Sequence, residues 1–201
     1  QTYEIGGIIG AANYIGDVGK TNYISPNTFA AGGIFKWNRS PRHSFRASVM
    51  VAKIKGDDAN SSETRRQQRG YSFENSIKEF SVGLEYTFFD FDVHAQKAIS
   101  TPYLYTGITY FLYDALYKSG NIGRNYDNAG SFAIPMVVGY KANINRNAMI
   151  GFEIGARYTF TDDLDGSNPV NGLKNEESLK FGNVNSNDWY VFTGMTVTFA
   201  F

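Results

Sequence analysis

The sequence predicts an all-β fold: one domain over residues 1–201 forming a closed, eight-stranded antiparallel transmembrane β-barrel in up-and-down order, with a side-chain-filled lumen. Three observations predict it. Eight segments alternate large apolar with polar or small residues at a period of two, each at least the ~9–11 residues a tilted strand needs to cross a bilayer. Their two faces are inverted relative to a soluble barrel, since the ionised residues gather on the face opposite the aromatic and aliphatic ones. The connections alternate between tight and long, so turns collect on one rim and loops on the other.

The segments are Thr2–Ile15, Pro26–Trp37, His43–Lys55, Ser76–Phe89, Tyr103–Tyr113, Ser131–Asn143, Asn147–Phe160 and Asp188–Phe201. Within the first, GGIIG at Gly6–Gly10 reads as close backbone packing rather than a phosphate loop. The second sets Phe29, Ala31, Gly33, Phe35 and Trp37 against Lys36 and small residues. The third puts Phe45, Ala47, Val49 and Val51 opposite Arg46, Ser48 and Met50. The fourth opposes Phe80, Val82, Leu84 and Tyr86 to Glu79, Ser81, Gly83 and Glu85. The seventh opposes Ile150, Phe152, Ile154 and Tyr158 to Gly151, Glu153 and Arg157. The last alternates Trp189, Val191, Met195, Val197, Phe199 and Phe201 with smaller or hydroxyl-bearing residues, as a strand pairing back onto the first would.

One face thus collects Glu4, Lys36, Arg46, Glu79, Glu85, Lys141, Glu153 and Arg157. Charges facing lipid would cost a few kcal/mol each. An eight-stranded barrel is just wide enough for side chains to fill it, so these eight are expected to form a lumen plug of mutually satisfied ion pairs. Aromatics near the strand ends (Tyr3, Trp37, Phe88, Tyr158, Phe160, Trp189, Phe199, Phe201) are expected to form two interfacial girdles.

Between the segments, tight turns are expected at Asn38–Arg42 and Ile144–Arg146. Long loops are expected at Gly56–Asn75, Asp114–Gly130 and Thr161–Asn187, and a middling connector at Asp90–Pro102. Helical periodicity is confined to Val93–Ile99. An even strand count puts both termini on the short-turn rim, and a chain starting at Gln1 without Met is expected to have followed a secretory signal.

Several functions are disfavoured. The net formal charge is zero, so nucleic acid is not an expected partner. Without cysteine there are no disulfides or thiolate metal sites. Both histidines, His43 and His94, fall on the short-turn rim, which leaves outer-rim Ser, Asp and Glu without a general base. No enzymatic activity and no cofactor are expected, and a barrel hydrolase or lipid A-modifying enzyme ranks last. TDDLDGSN at Thr161–Asn168 gives Asp163 and Asp165 calcium-loop spacing but lacks the bidentate Glu, so no metal is expected.

Several stretches together resemble a known family: AANYIGD at Ala11–Asp17, RGYSFENSIKEFSVGLEYTFF at Arg69–Phe89, TPYLYTGITYF at Thr101–Phe111, AIPMVVGYK at Ala133–Lys141 and GFEIGARYTFTDDLD at Gly151–Asp165. They are similar to PorG, the small outer-membrane barrel associated with the Bacteroidetes type IX secretion system and gliding motility. The resemblance implies an accessory membrane anchor tying a periplasmic ring of PorK-like lipoprotein and PorN-like protein to outer-membrane lipid, with the termini periplasmic. It carries over no catalytic residues. Under it, Asp90–Pro102 becomes a docking surface together with the two tight turns, and the rim residues Arg39, Arg42, Asp92, His94, Lys97 and Arg146 become contact candidates. Replacing Asp90–Pro102 with a tight turn is then expected to leave the barrel folded but to release the ring. The alternative is a surface adhesion or ligand-binding barrel working through the long loops Gly56–Asn75 and Thr161–Asn187.

Overall fold

The computed structural model describes residues 2–20, 22–95, 97–169, 176–183 and 186–201. Strands β1 (Thr2–Ile15), β2 (Thr28–Asn38), β3 (His43–Asp57), β4 (Ser72–Thr87), β5 (Ser100–Ser119), β6 (Ile122–Asn143), β7 (Ala148–Thr159) and β8 (Trp189–Ala200) pair in chain order and close into a barrel. The closing seam sets Glu4 opposite Ala200 and Ile15 opposite Trp189. Closure satisfies the backbone of every strand and removes the edges that lipid could not hydrogen-bond.

Alternation then sorts the side chains. Val49, Leu84 and Phe152 are exposed on the outer wall, whereas Arg46, Glu85 and Glu153 are buried inside. The outer apolar belt ends in aromatic contacts at both rims. Tyr3 stacks with Phe35, and Trp37 packs on Phe45, at the rim carrying the termini. Tyr158 meets Phe160 and Trp189 at the far rim.

The strands run further than expected beyond the far rim. Residues 114–130, expected as a loop, are a paired ribbon of β5 and β6 that turns at Gly120, whose φ is 67°. The ribbon hid because neither of its faces meets lipid, so exposed Arg124, Asn125 and Asp127 carry no apolar alternation. A register shift between Ala115 and Leu116 bends it where it leaves the wall.

The stretch Gly56–Asn75 likewise shrinks to residues 58–71, because β3 continues to Asp57 and β4 begins at Ser72; between them lies helix α1, Thr64–Arg69. Its sequence is polar all round and shows no period of 3.6. Tertiary bonds hold it: Arg66 donates to the Gly16 and Gly19 carbonyls, and Arg69 to the Asp17 carbonyl and the Asp58 carboxylate. The expected helical character at Val93–Ile99 is absent among the described residues. A four-residue helix, α2, covers Glu176–Leu179 instead.

Small inward residues make room for large ones. Tyr103 lies directly against Gly139, where an added Cβ would sit 2.2 Å from the tyrosine Cζ. Outward-facing Gly33 meets only Val49 Cγ2 at 3.6 Å and the Gly6 carbonyl oxygen at 3.9 Å. Gly139→Ala is therefore expected to cost about 1–3 kcal/mol by overpacking, and Gly33→Ala to stay within about 0.5 kcal/mol. Urea unfolding in lipid vesicles separates the two.

Candidate functional site

The lumen is organised around Glu85, a fully buried carboxylate on β4. Lys36 from β2 donates to it at 2.9 Å and Lys141 from β6 at 2.7 Å, while Arg46 Nη1 from β3 stands 3.7 Å away. Arg46 spends its fork on Glu153 of β7, with Nη1 and Nη2 at 2.7 and 2.9 Å from the two oxygens, and Tyr103 donates to the same carboxylate at 2.6 Å. One layer nearer the far rim, Arg157 Nη2 donates to Glu79 at 3.0 Å, and the Tyr190 hydroxyl donates to the other oxygen. The Arg46 guanidinium also lies 4.7 Å from the centre of the Tyr105 ring.

All eight charged residues read from the sequence are buried in the barrel, and seven of them form one another's ion pairs. Glu4 departs from that expectation. Although Lys36 sits opposite it in the sheet register, Glu4 is satisfied by two neutral donors, Asn38 Nδ2 at 2.8 Å and Thr198 Oγ1 at 2.7 Å. Lys36 reaches across the lumen to Glu85 instead and becomes that carboxylate's second ammonium partner beside Lys141.

Both mouths are closed by side chains that sequence reading missed. At the far rim the segment 162–167 enters the barrel. Leu164 is fully buried among Tyr14, Tyr71 and Phe73, and its carbonyl accepts from Asn75 Nδ2 at 2.8 Å. The Tyr14 hydroxyl bridges Asp165, at 2.7 Å, and Asp188, and Tyr71 donates to the Asp165 carbonyl at 2.7 Å. At the rim of the termini, Phe91 and Val93 turn inward against Met149 and Ala200, with the Lys141 ammonium 4.7 Å over the Phe91 ring. Asn143 holds this connector in place, accepting from Ile99 N–H at 2.7 Å and donating to the Lys97 carbonyl at 2.9 Å.

Phe91 and Val93 of this connector therefore line the lumen mouth, so a tight turn in place of Asp90–Pro102 would also remove these two inward side chains. A signal for this was present: Phe91 and Val93 continue the odd-numbered inward register of Glu79 and Glu85 past the end of β4.

The rim candidates Arg39, Arg42, Asp92, His94, Lys97 and Arg146 are all exposed on the rim of the termini. Arg42 pairs with Asp90, Asp92 caps the His94 N–H at 3.0 Å, and His94 Nδ1 contacts the Arg146 carbonyl at 3.3 Å. Both histidines lie on this rim. The calcium candidates Asp163 and Asp165 are buried, but Asp165 is engaged by Tyr14 and by Ser167 N–H. Among the described residues no group of three or more His, Cys, Asp or Glu is arranged to hold a metal ion. Part of the long loop Thr161–Asn187, at 170–175 and 184–185, lies outside the described residues.

With that geometry in place, the chain can be compared with known proteins. A family model described as "Domain of unknown function (DUF6089)" matches residues 1–201. The chain belongs to that family. No curated protein sequence matches it. Among solved structures it is similar to Neisserial surface protein A, with a TM-score of 0.55, 9% identity, and coverage of 99% of this chain and 98% of that one. The N-terminal β-barrel domain of Pseudomonas aeruginosa OprF gives a TM-score of 0.51 at 12% identity, covering 100% and 97%. Ail of Yersinia pestis, in complex with the heparin analogue sucrose octasulfate, gives 0.50 at 9% identity, covering 100% and 97%. At these identities the likeness is one of fold: a closed eight-stranded outer-membrane barrel.

Two expectations follow from the site. Glu85→Gln removes the charge that holds two lysines and is expected to cost about 3–5 kcal/mol. Lys53→Gln breaks the far-rim pair with Glu74, whose side chains are 60% and 57% exposed, and is expected to cost no more than ~1 kcal/mol. Unfolding midpoints in lipid vesicles measure both.

The far-rim cap is expected to respond to pH. Burial, then the charges of Asp165 and Asp17, raises Asp162 to about 7; burial, then Asp165 and Asp162, raises Asp163 to about 8. Asp165 and Asp188 are raised as well, in both cases chiefly by burial. A carboxylate whose folded pKa is raised stabilises the fold below that value, and the contribution fades as pH rises from the unfolded range through the folded pKa. Amides 162–167 should therefore be at least about tenfold better protected at pH 5.5 than at pH 8.5, after correction for intrinsic exchange, and Asp163→Asn should flatten the difference. Hydrogen exchange by mass spectrometry reads this directly.

Proposed function

We propose that this chain is a non-enzymatic bacterial outer-membrane barrel that anchors the periplasmic ring of the type IX secretion system, with its termini on the periplasmic side. The observation that carries this reading is the doubly sealed lumen, with Leu164 in one mouth, Phe91 and Val93 in the other, and an ion-paired core between them. A barrel closed in this way serves as a fixture rather than a conduit. A fixture needs a face that protrudes from the membrane, and the rim of the termini offers exposed Arg39, Arg42, Asp92, His94, Lys97 and Arg146. The resemblance of NYIGD and of the E-x-G-x-R-x-T-F-T-D-D-L-D run to PorG supplies the partners, a PorK-like lipoprotein and a PorN-like protein.

A second reading, surface adhesion, is favoured by the β5–β6 ribbon beyond the far rim. One experiment separates them. Arg39→Glu combined with Lys97→Glu and Arg146→Glu leaves every plug residue in place and is expected to reduce co-purified ring components by about tenfold or more, as lost charge complementarity does at polar interfaces. Trimming residues 114–130 to a tight turn should leave ring recovery unchanged. Undiminished ring recovery from the triple variant, with the barrel folded by heat-modifiable gel mobility, defeats the anchoring role. Loss of surface binding on trimming the ribbon, with ring recovery never above background, would establish the adhesion reading instead.

A further inference from the structure

Asn13 stands on the wrong side of the wall. On β1 the odd positions face outward, and Asn13 lies opposite Val191 on that face, two residues beyond Ala11. An amide presented to acyl chains would leave its polar atoms unsatisfied at a cost of several kcal/mol. Asn13 is instead 2% exposed: its Nδ2 donates to the Tyr23 carbonyl at 3.1 Å, and its Oδ1 accepts from Ser25 N–H at 3.2 Å. Satisfying one amide thus folds the β1–β2 loop down over the outer wall.

The fold-down has a consequence for the surface. Tyr23 and Ile24, on the strapped loop, remain 76% and 55% exposed, although they flank the apolar belt. Beside them lies a groove of about 860 Å³ whose floor includes Met136, Val138, Ile154, Ala156 and Val191. Its volume falls within the roughly 300–1,000 Å³ typical of sites that take one small ligand. In register, Val138 faces Ile154, Ile154 faces Thr193, and Ala156 faces Val191, so the groove runs from the Tyr158–Trp189 girdle toward the bilayer centre. Polar groups appear along its margin: Asp17, Arg66, Ser186 and Asn187. Asn187 Nδ2 donates to the hydroxyl of Tyr158 in the girdle, and Arg66 is fixed by the Gly16 and Gly19 carbonyls.

We propose that this groove seats one acyl chain of a membrane lipid from the leaflet at the far rim, with its headgroup linkage at the Arg66, Ser186 and Asn187 margin. The occupant follows from position. The floor is continuous with the belt that already faces lipid, and the polar groups fall on the headgroup side of the girdle. The annulus is as apolar as the groove, so the preference comes from packing in the groove and from its polar margin, and it is modest.

The chain has two tryptophans, and Trp189 lines the groove while Trp37 sits at the opposite rim. Trp37→Phe and Trp189→Phe give two single-tryptophan proteins for reconstitution into phosphatidylcholine vesicles containing phosphatidylcholine dibrominated at mid-chain. At a bromolipid fraction of about one tenth, Trp189 is expected to lose about fivefold more fluorescence than Trp37 and to saturate, because a bound chain is held against it while annular chains exchange in proportion to their abundance. Ala156→Phe fills the floor and is expected to return Trp189 to the proportional curve. If that variant fails to fold, Tyr23→Ser with Ile24→Ser removes the flanking side chains from outside the sheet and is expected to do the same. Identical proportional curves for the two tryptophans, or saturating quenching that survives the groove-altering variant that folds, overturns the proposal.

Discussion

In a closed sheet immersed in hydrocarbon, an ionised side chain has one place to go, and there it must find a partner. Glu85 is where that constraint becomes structure. Fully buried, it draws ammonium groups from β2 and β6, on either side of its own strand. Arg46, the third cation nearby, turns its fork to Glu153 on β7. With Tyr103 of β5 on Glu153, the resulting network ties six of the eight strands through two buried carboxylates. Inward glycines such as Gly139 follow from the same crowding, since Tyr103 reaches Glu153 only by lying across a position with no side chain.

A filled lumen still needs ends, and the two are made from different chemistry. The plug at the rim of the termini is apolar, with Phe91 and Val93 packed on Met149 and Ala200 under a lysine–aromatic contact. The far plug sets Leu164 beside aspartates, and among the described residues neither carboxylate oxygen of Asp163 has a hydrogen-bond partner. The first rests on apolar packing. The second holds carboxylates whose protonation relieves their mutual repulsion. Opening at the far mouth is therefore tied to pH through these carboxylates.

The barrel was legible in the sequence because its two faces meet different media. Wherever that holds, from Phe45 to Val51 on β3 or from Ile150 to Tyr158 on β7, residue type reports direction. Outside the bilayer the rule lapses, which is why residues 114–130 and 72–75 read as loop although they are strand. The identity of the lumen charges was legible for the same reason, but their pairing was not: Lys36 bypasses its register neighbour Glu4 for Glu85 across the lumen, and only three-dimensional distance decides that. Helix α1 left no periodic signal, because arginine-to-carbonyl bonds hold it rather than an apolar stripe. The plugs went unread because they are single side chains at segment ends, although the parity of Phe91 and Val93 with Glu85 pointed inward.

The terminal plug also restricts how anything can dock there. A connector longer than a turn needs invites the view that it reaches outward, yet its Phe91 and Val93 are spent on the lumen, and its carbonyls at Ala95 and Lys97 on Asn143. What it leaves exposed is largely polar or charged: Asp90, Asp92, His94 and Lys97, with Arg39, Arg42 and Arg146 from the flanking turns. A partner of this rim would read a mixed-sign polar surface, in which a pair such as Arg42–Asp90 must be opened before either member is shared. Such surfaces gain little from each contact and weaken as salt is added. Durable anchoring through this face would therefore rest on many copies acting together, each barrel fixed in the membrane by its own belt, with multiplicity rather than individual contacts supplying the hold.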